Sequence, residues 1–259
     1  MQTTHDVEPI KYEPIPTPDI RKVSAGAPFA WLKQGAKDFA AAPALSIAYG
    51  LIFALIGLGI SYASISQPQL TLTFWTGFLL VGPFLAVGLY KIAQLKEQGE
   101  EISLGKVFSA LAENKTQIAI FTAMMMLIML AWIRFSTLMV ALFFGQLSPG
   151  FEAFANALNS ADGWTFLGVL FASGGIFAFI VFAASALTMP IIIDKKAEMI
   201  PALITSFKAV FEQPGVMLVW AALIAGLTFL GMATMFIGLA FIFPLLGYAT
   251  WHSYRDLIK

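Results

Sequence analysis

The sequence predicts an all-α polytopic membrane protein with six transmembrane helices arranged as three hairpins. Three observations lead there. The 259 residues are 59% hydrophobic and only 12% charged. A soluble domain carries about 25% charged residues, so there is too little polar side chain here to cover a water-soluble globule. The apolar residues also gather into runs of the length a bilayer demands, about 18 residues or more. Finally, the positive charges sort to alternate loops, as they do when cytoplasmic loops collect Lys and Arg.

Residues 1 to 27 open with "MQTTHDVEPIKYEPIPTPDI". They are polar and proline-rich and lack the charged-then-apolar pattern of a signal peptide, and they read as a disordered cytoplasmic tail. Residues 28 to 259 read as one membrane domain. Its apolar runs cover 43–65, 70–90, 118–144 and about 164–193. A last run, Val216 to Thr250, contains no charged residue. As one helix it would be roughly 52 Å long at 1.5 Å per residue, against a hydrocarbon core of about 30 Å. It therefore divides into two spans near "GMAT" (231–234), which makes six.

The charges test that count. In a six-span arrangement every Lys and Arg except Arg134 falls on one side, and the loops 66–69 and 145–163 carry none. A five-span chain would send Arg255 and Lys259 to the opposite side. Both termini are predicted to be cytoplasmic.

Three stretches resemble one another: "WLKQGAKDFAAAP" (31–43), "GKVFSALAENK" (105–115) and "ALITSFKAVFEQP" (202–214). In register, apolar or small residues recur at i, i+4 and i+7: Leu32, Ala36 and Phe39; Leu104, Phe108 and Leu111; Leu203, Phe207 and Val210. Each stripe predicts a short amphipathic helix on the cytoplasmic side just ahead of a span. The second span of each pair carries a proline, Pro83, Pro190 or Pro244, where a kink is expected. The repeating unit is amphipathic helix, span, span, over about 29–95, 102–194 and 199–259.

The pass for chemistry excludes more than it finds. With zero net charge there is no bulk basic character for nucleic acid, and with no cysteine there is no thiolate nucleophile, disulfide or Cys-ligated metal. The spans hold no Asp or Glu, the usual currency of proton relays and Na⁺ sites in membranes. Ser46, Ser136, Ser173 and Ser185 have no histidine base beside them, and no glycine-rich phosphate loop with a lysine occurs. Met124, Met125, Met126 and Met129 point around a helix rather than along one path, as flexible packing does. "SGG" (173–175) reads as a close helix contact. No enzymatic activity, cofactor or metal is expected.

The stretch from Pro190 onward, with Asp194 four residues later, "SFKAVFEQPGVMLVWAALIA" and the closing "FPLLGYATWHSYRDL", resembles the bacterial integral-membrane family known as domain of unknown function 2189. "WLKQGAKDFAAAPALSIAYGLIFAL" is similar to that family's first unit. The resemblance extends over about residues 28 to 258 and implies a six-span inner-membrane protein, with no assigned chemistry. Members are sometimes labelled as cytochrome c oxidase subunit I. That label fails here, because a haem–copper subunit needs several histidine ligands within its spans and this chain has only His5 and His252.

Two polar residues remain as candidates. Asp194 marks the inner boundary of the fourth span, where pairing with a neighbouring lysine is expected. Arg134 interrupts "MLAWIRFSTL" (129–138). From Ile118, Ile133 lies about 24 Å along a helix. Arg134 then reaches the outer interface beside Trp132 as an interfacial aromatic, or it faces a polar cavity and contacts an anion. Two functional readings follow: a non-enzymatic scaffold or accessory factor for a membrane complex or lipid organisation, or a small permease for an anionic or amphiphilic solute using Arg134. The expected partners are membrane lipids and another membrane complex.

Overall fold

The computed structural model describes residues 17–65, 74–75, 77–78, 82–144 and 159–259. Among these residues the chain is helical apart from turns and one antiparallel bridge, Ile20 to Ile258. In chain order the helices are α1 (Ala27–Ala41), α2 (Pro43–Ala63), α3 (Gly82–Leu85), α4 (Val87–Glu97), α5 (Leu104–Glu113) and α6 (Lys115–Phe144). They continue with α7 (Ala161–Ser185), α8 (Thr188–Lys195), α9 (Met199–Glu212), α10 (Pro214–Ala233) and α11 (Leu239–Leu257).

Three times a short helix runs into a long one across a single non-helical residue. The break lies at Ala42 (φ −138°, ψ 60°) between α1 and α2, and at Gln213 (φ −130°, ψ 56°) between α9 and α10. Each precedes a proline, Pro43 or Pro214, which drives the residue before it out of the helical region and is itself accommodated in the first turn of the next helix. Asn114 (φ −114°, ψ 19°) breaks α5 from α6 without a proline, and its backbone stays closer to helical.

Four helices among the described residues are long and apolar enough to cross a membrane: α2, α6, α10 and the α7–α8 pair, Ala161–Lys195. The run from Val216 to Thr250 does divide. α10 and α11 are joined at Thr234–Gly238, where Met235 (φ 53°) and Phe236 (φ 63°) turn left-handed and Thr234 Oγ1 accepts from Gly238 N at 2.8 Å. α11 differs from the other expected spans because its last two turns carry His252, Arg255 and Asp256. Much of the expected span at 70–90 lies outside the described residues, and its described remainder is α3 and α4, broken at Ala86.

α11 is the strut of the fold: α1, α2, α4, α8 and α10 all pack on it. Two of these contacts are backbone to backbone. A Cβ at Gly35 of α1 would stand 2.8 Å from both Leu245 O and Ala249 N, and one at Gly50 of α2 would stand 1.9 Å from Ala240 O. Pro244 has no N–H to offer Ala240 O, four residues earlier. That freed carbonyl is where Gly50 seats. Pro244 thus sits inside a continuous helix, whereas Pro190 accompanies a real interruption at Ala186 and Leu187. Ser206 of α9 repairs it, accepting from Leu187 N at 3.1 Å and donating to Ala183 O at 2.7 Å. Pro83, where a kink is expected, is the second residue of α3, and the residue four positions upstream lies outside the described residues.

The buried stripe of the short helices is displaced by one residue from the one their hydrophobicity suggests. In α1 it is Trp31, Gly35 and Asp38, with Ala36 exposed. In α9 the displaced set Ala202, Ser206 and Ala209 is buried together with Thr205 and with Val210 of the expected stripe, and in α5 Val107 takes the equivalent place. Small residues admit close helix approach, and in a membrane the larger apolar ones lose nothing by facing lipid. Residues 17–26, assigned by composition to a disordered tail, are tied down. Arg21 N donates to Leu257 O at 2.7 Å, and Val23 N donates to Gln213 Oε1 at 3.0 Å.

Replacing Gly50 with alanine forces α2 off α11 and is expected to destabilise the protein by about 2–3 kcal/mol. Gly59→Ala, with nothing within 4 Å of the added methyl, should be neutral or slightly stabilising. Thermal unfolding in detergent compares the two.

Candidate functional site

The described ion pairs and side-chain bonds that join different helices concentrate at one end of the bundle, around the C-terminal turns of α11. Asp38 of α1 is 4% exposed. Its two oxygens are 2.6 Å from Lys96 Nζ of α4 and 2.7 Å from His252 Nε2 of α11. A carboxylate only accepts, so both nitrogens donate. Glu97 accepts from Trp251 Nε1 at 3.1 Å and pairs with Arg255 at 2.8 Å. Arg255 also reaches Asp194 of α8 at 3.4 Å. Asp194 accepts from Gln94 Nε2 at 2.9 Å and from the Tyr254 hydroxyl, and Trp31 Nε1 donates to Asp256 at 2.9 Å. The resulting polar collar ties α1, α4, α8 and α11 together.

The collar's electrostatics follow from its contacts. Burial alone would raise the Asp38 carboxyl, but the hydrogen bonds and charges of His252 and Lys96 outweigh it and hold the group below its ordinary value. Burial, and then the Asp194 carboxylate, push the Tyr254 hydroxyl well above the usual phenol range. Burial opposes the charge on Arg255, but Glu97 and Asp194 more than compensate and keep it protonated. Each acid of the collar is already engaged by donors, which is the arrangement of a clamp rather than of a poised general base. No cluster of His, Asp or Glu among the described residues has the make-up of a metal site.

Below the collar lies a cavity of about 1040 Å³. Its walls are α7 (Gly175, Phe179, Phe182), α10 (Met217, Trp220, Ala221, Ala225) and α11 (Ile242, Leu246, Thr250), with Phe53, Tyr90 and Phe211 completing it. None of its described lining residues is charged. α7 and α10 scarcely touch each other, so the cavity opens sideways between them past exposed Phe211, Leu218 and Phe229. Ligand pockets are commonly about 300–1,000 Å³, mostly apolar with a few placed polar groups. Here the described lining side chains that carry polar groups are Tyr90, Ser185, Trp220, Thr228 and Thr250, and Ser185 and Thr250 donate to Val181 O and Leu246 O of their own helices. Trp220 is fully buried, and its Nε1 has no hydrogen-bond partner among the described residues and is shielded from the open space.

The residues singled out from sequence do not come together. Arg134 is exposed on α6, has no ion pair among the described residues and does not line the cavity. Trp132 is 3% exposed and packs between Phe135 and Phe177 rather than standing as a free interfacial ring. A methyl on Gly174 would be 3.2 Å from its ring, the close helix contact expected of "SGG". Asp194 stands one residue before the end of α8, and its partners are Gln94, Tyr254 and Arg255 rather than a neighbouring lysine, while Lys196 pairs with Glu113. Asp38, Glu97 and His252 were missed as a group because their bonding partners lie 58 to 214 positions away in the chain. The one available signal was the density of polar residues in "TWHSYRDL" at the end of an apolar run.

An all-helical chain whose long helices are apolar outward is a membrane protein of the multi-helix class. Residues 70–194 match the family described as "Predicted integral membrane protein (DUF2189)", the family the sequence resembles, whose function is unknown. The matched segment takes in Pro190 and Asp194 but neither the first unit nor "FPLLGYATWHSYRDL". No curated protein and no solved structure matches the chain.

Asp38→Ala leaves Lys96 and His252 facing an empty site and should cost about 2 kcal/mol, part of the charge on Lys96 being relieved by solvent. Because the folded Asp38 value lies below its ordinary 3.8, its contribution is present above that pH and lost as pH falls through the folded value. Melting temperature measured from pH 7 down to pH 3 should therefore fall on the acid side, and Asp38→Asn should make that fall shallower.

Proposed function

We propose that the protein is a non-enzymatic integral membrane protein that organises lipid or serves as an accessory factor beside a membrane complex. The observation that carries this reading is the laterally open, uncharged cavity beneath a collar whose acids are all engaged. Such a site can hold an apolar or amphiphilic molecule and lacks groups to transform it. We further propose that it resides in a bacterial inner membrane with both termini cytoplasmic. The collar would then lie at the inner headgroup region, where its basic residues belong. An internal repeat of three units accounts for the short-helix, break, long-helix pattern seen three times. Three hairpins remain the arrangement proposed for all six spans.

The permease reading through Arg134 has less support, since Arg134 stands on the outside of α6, away from the cavity. The test is quantitation of lipids and proteins recovered with a chromosomally tagged copy in mild detergent. One membrane complex near one-to-one, or one lipid class enriched over the bulk membrane, is expected. A protein recovered alone, with bulk lipid composition and with complex assembly and lipid composition unchanged in a deletion strain, would sink the proposal.

A further inference from the structure

We infer that residues 17–26 are a releasable strap that locks the elbow at Gln213, and that the angle of this elbow sets how far α10 stands from α7. The device goes beyond the accessory reading and holds whatever the cavity takes in. It follows first from how the helices group. α6, α7, α8 and α9 pack on one another, while α1, α2 and α10 pack on α11. The cavity lies between the groups, with α7 on one side and α10 and α11 on the other. Gln213 is the single residue between α9 of one group and α10 of the other, and its backbone is off-helix (φ −130°, ψ 56°). Pro214 has no N–H with which to carry the ladder of α9 onward, so nothing in the helices themselves fixes the angle between α9 and α10.

The strap supplies what is lacking. Val23 N donates to Gln213 Oε1 at 3.0 Å, and Gln213 Nε2 donates to Arg21 O. The Gln213 side chain bonds nothing else among the described residues. Lys208 of α9 donates to Pro18 O at 3.4 Å. From the other group, Leu257 O accepts from Arg21 N at 2.7 Å, and Lys259 N donates to Asp19 O at 3.3 Å. The strap thus ties α9 and the elbow to the end of α11, and Val210, Phe211 and Pro214 beside the elbow line the cavity. Its seat is shallow: Asp19, Arg21, Lys22, Ser24, Ala25 and Gly26 are exposed, and Ile20 and Val23 pack half-buried against the core. Surface segments held this way open at a fraction of the cost of unfolding the whole. The groups stay joined through Asp194 of α8, which bonds Gln94, Tyr254 and Arg255. With the strap unseated, that junction and the elbow form the hinge, and α10 swings from α7 with its far end moving most.

The test uses the full-length chain in lipid nanodiscs. Gln213→Ala removes the bonds at the elbow, and Arg21→Pro removes the N–H given to Leu257 while changing only an exposed side chain. Trypsin needs its target unpaired, so cleavage after Lys22 reads release, and each variant should be cut about ten-fold faster than the wild type. Ile20 and Ile258 face each other as a non-hydrogen-bonded antiparallel pair. The Cα atoms of such pairs stand about 4.5 Å apart, within reach of a disulfide. Oxidised Ile20→Cys/Ile258→Cys in the Gln213→Ala background should therefore restore slow cleavage, and reduction should reverse it. Spin labels then read the cavity mouth. Phe229 lies about 22 Å along α10 from Pro214 and Leu218 about 6 Å. In both strap variants the distance between Phe179→Cys and Phe229→Cys should lengthen several times more than that between Phe179→Cys and Leu218→Cys. A pair within one group, Leu130→Cys on α6 and Ile176→Cys on α7, should keep its wild-type distance.

Unchanged cleavage in both variants overturns the strap as a lock. Faster cleavage with the mouth pairs unmoved overturns its hold on the gap. Equal shifts in the mouth pairs and in the α6–α7 pair mean general loosening and overturn the hinge. None of these results alters the recovery of lipids and proteins that tests the accessory reading, so the two fail separately.

Discussion

Gly35 and Gly50 bring two helices to the backbone of α11, and the rest of the structure depends on that closeness. Lipid offers no hydrophobic penalty to drive helices together, so contact must come from packing and from polar groups that prefer each other to hydrocarbon. Gly50 fits a carbonyl that Pro244 has left without its helical donor. A residue with a side chain at position 50, or a backbone N–H at position 244, would remove one half of that fit. With α1 and α2 held against α11, Asp38 is carried to within 2.7 Å of both Lys96 and His252. The collar is thus a consequence of the close approach and also its lock.

The cavity is the complement of that arrangement. α11 is surrounded on the sides where glycine and alanine face it. On the remaining side α7 and α10 stand apart and no described helix fills the gap. A space of about 1040 Å³ in a water-soluble protein would fill with solvent or collapse. Opening between two apolar helices, it is a space that the apolar molecules of a bilayer fit. Close packing at one face of α11 and an open apolar space at the other are two results of the same asymmetry.

Composition and run length made the helical, membrane-embedded class legible, and the length of Val216–Thr250 required the turn found at Thr234–Gly238. The short helices ahead of long ones were legible from Pro43 and Pro214 and from the i, i+4, i+7 pattern. The buried face of α1 was not, because hydrophobicity marks Leu32, Ala36 and Phe39 while the close contact selects Trp31, Gly35 and Asp38. In a membrane the apolar residue and the buried residue are different things. Arg134 drew notice as the single charge in a long run, and it lies on an outer surface. Trp220 drew none, because an aromatic residue in an apolar run looks like core, and only the packed structure leaves its Nε1 without a partner among the described residues. The collar escaped for a different reason: every one of its bonds joins distant segments, and residues such as Asp38 and Glu97 look like solvated charges beside their neighbours.

The central claim is that the collar marks the cytoplasmic boundary and the cavity opens into the leaflet beside it. The chain has no cysteine, so single cysteines report cleanly. Gln98→Cys lies next to the collar, and Asp162→Cys lies at the opposite end of the α7–α8 pair from Asp194. A membrane-impermeant maleimide applied to sealed vesicles of each orientation should modify Gln98→Cys from the cytoplasmic face only and Asp162→Cys from the other face only. Modification of both from one face, or of Gln98→Cys from the outer face, would contradict the account.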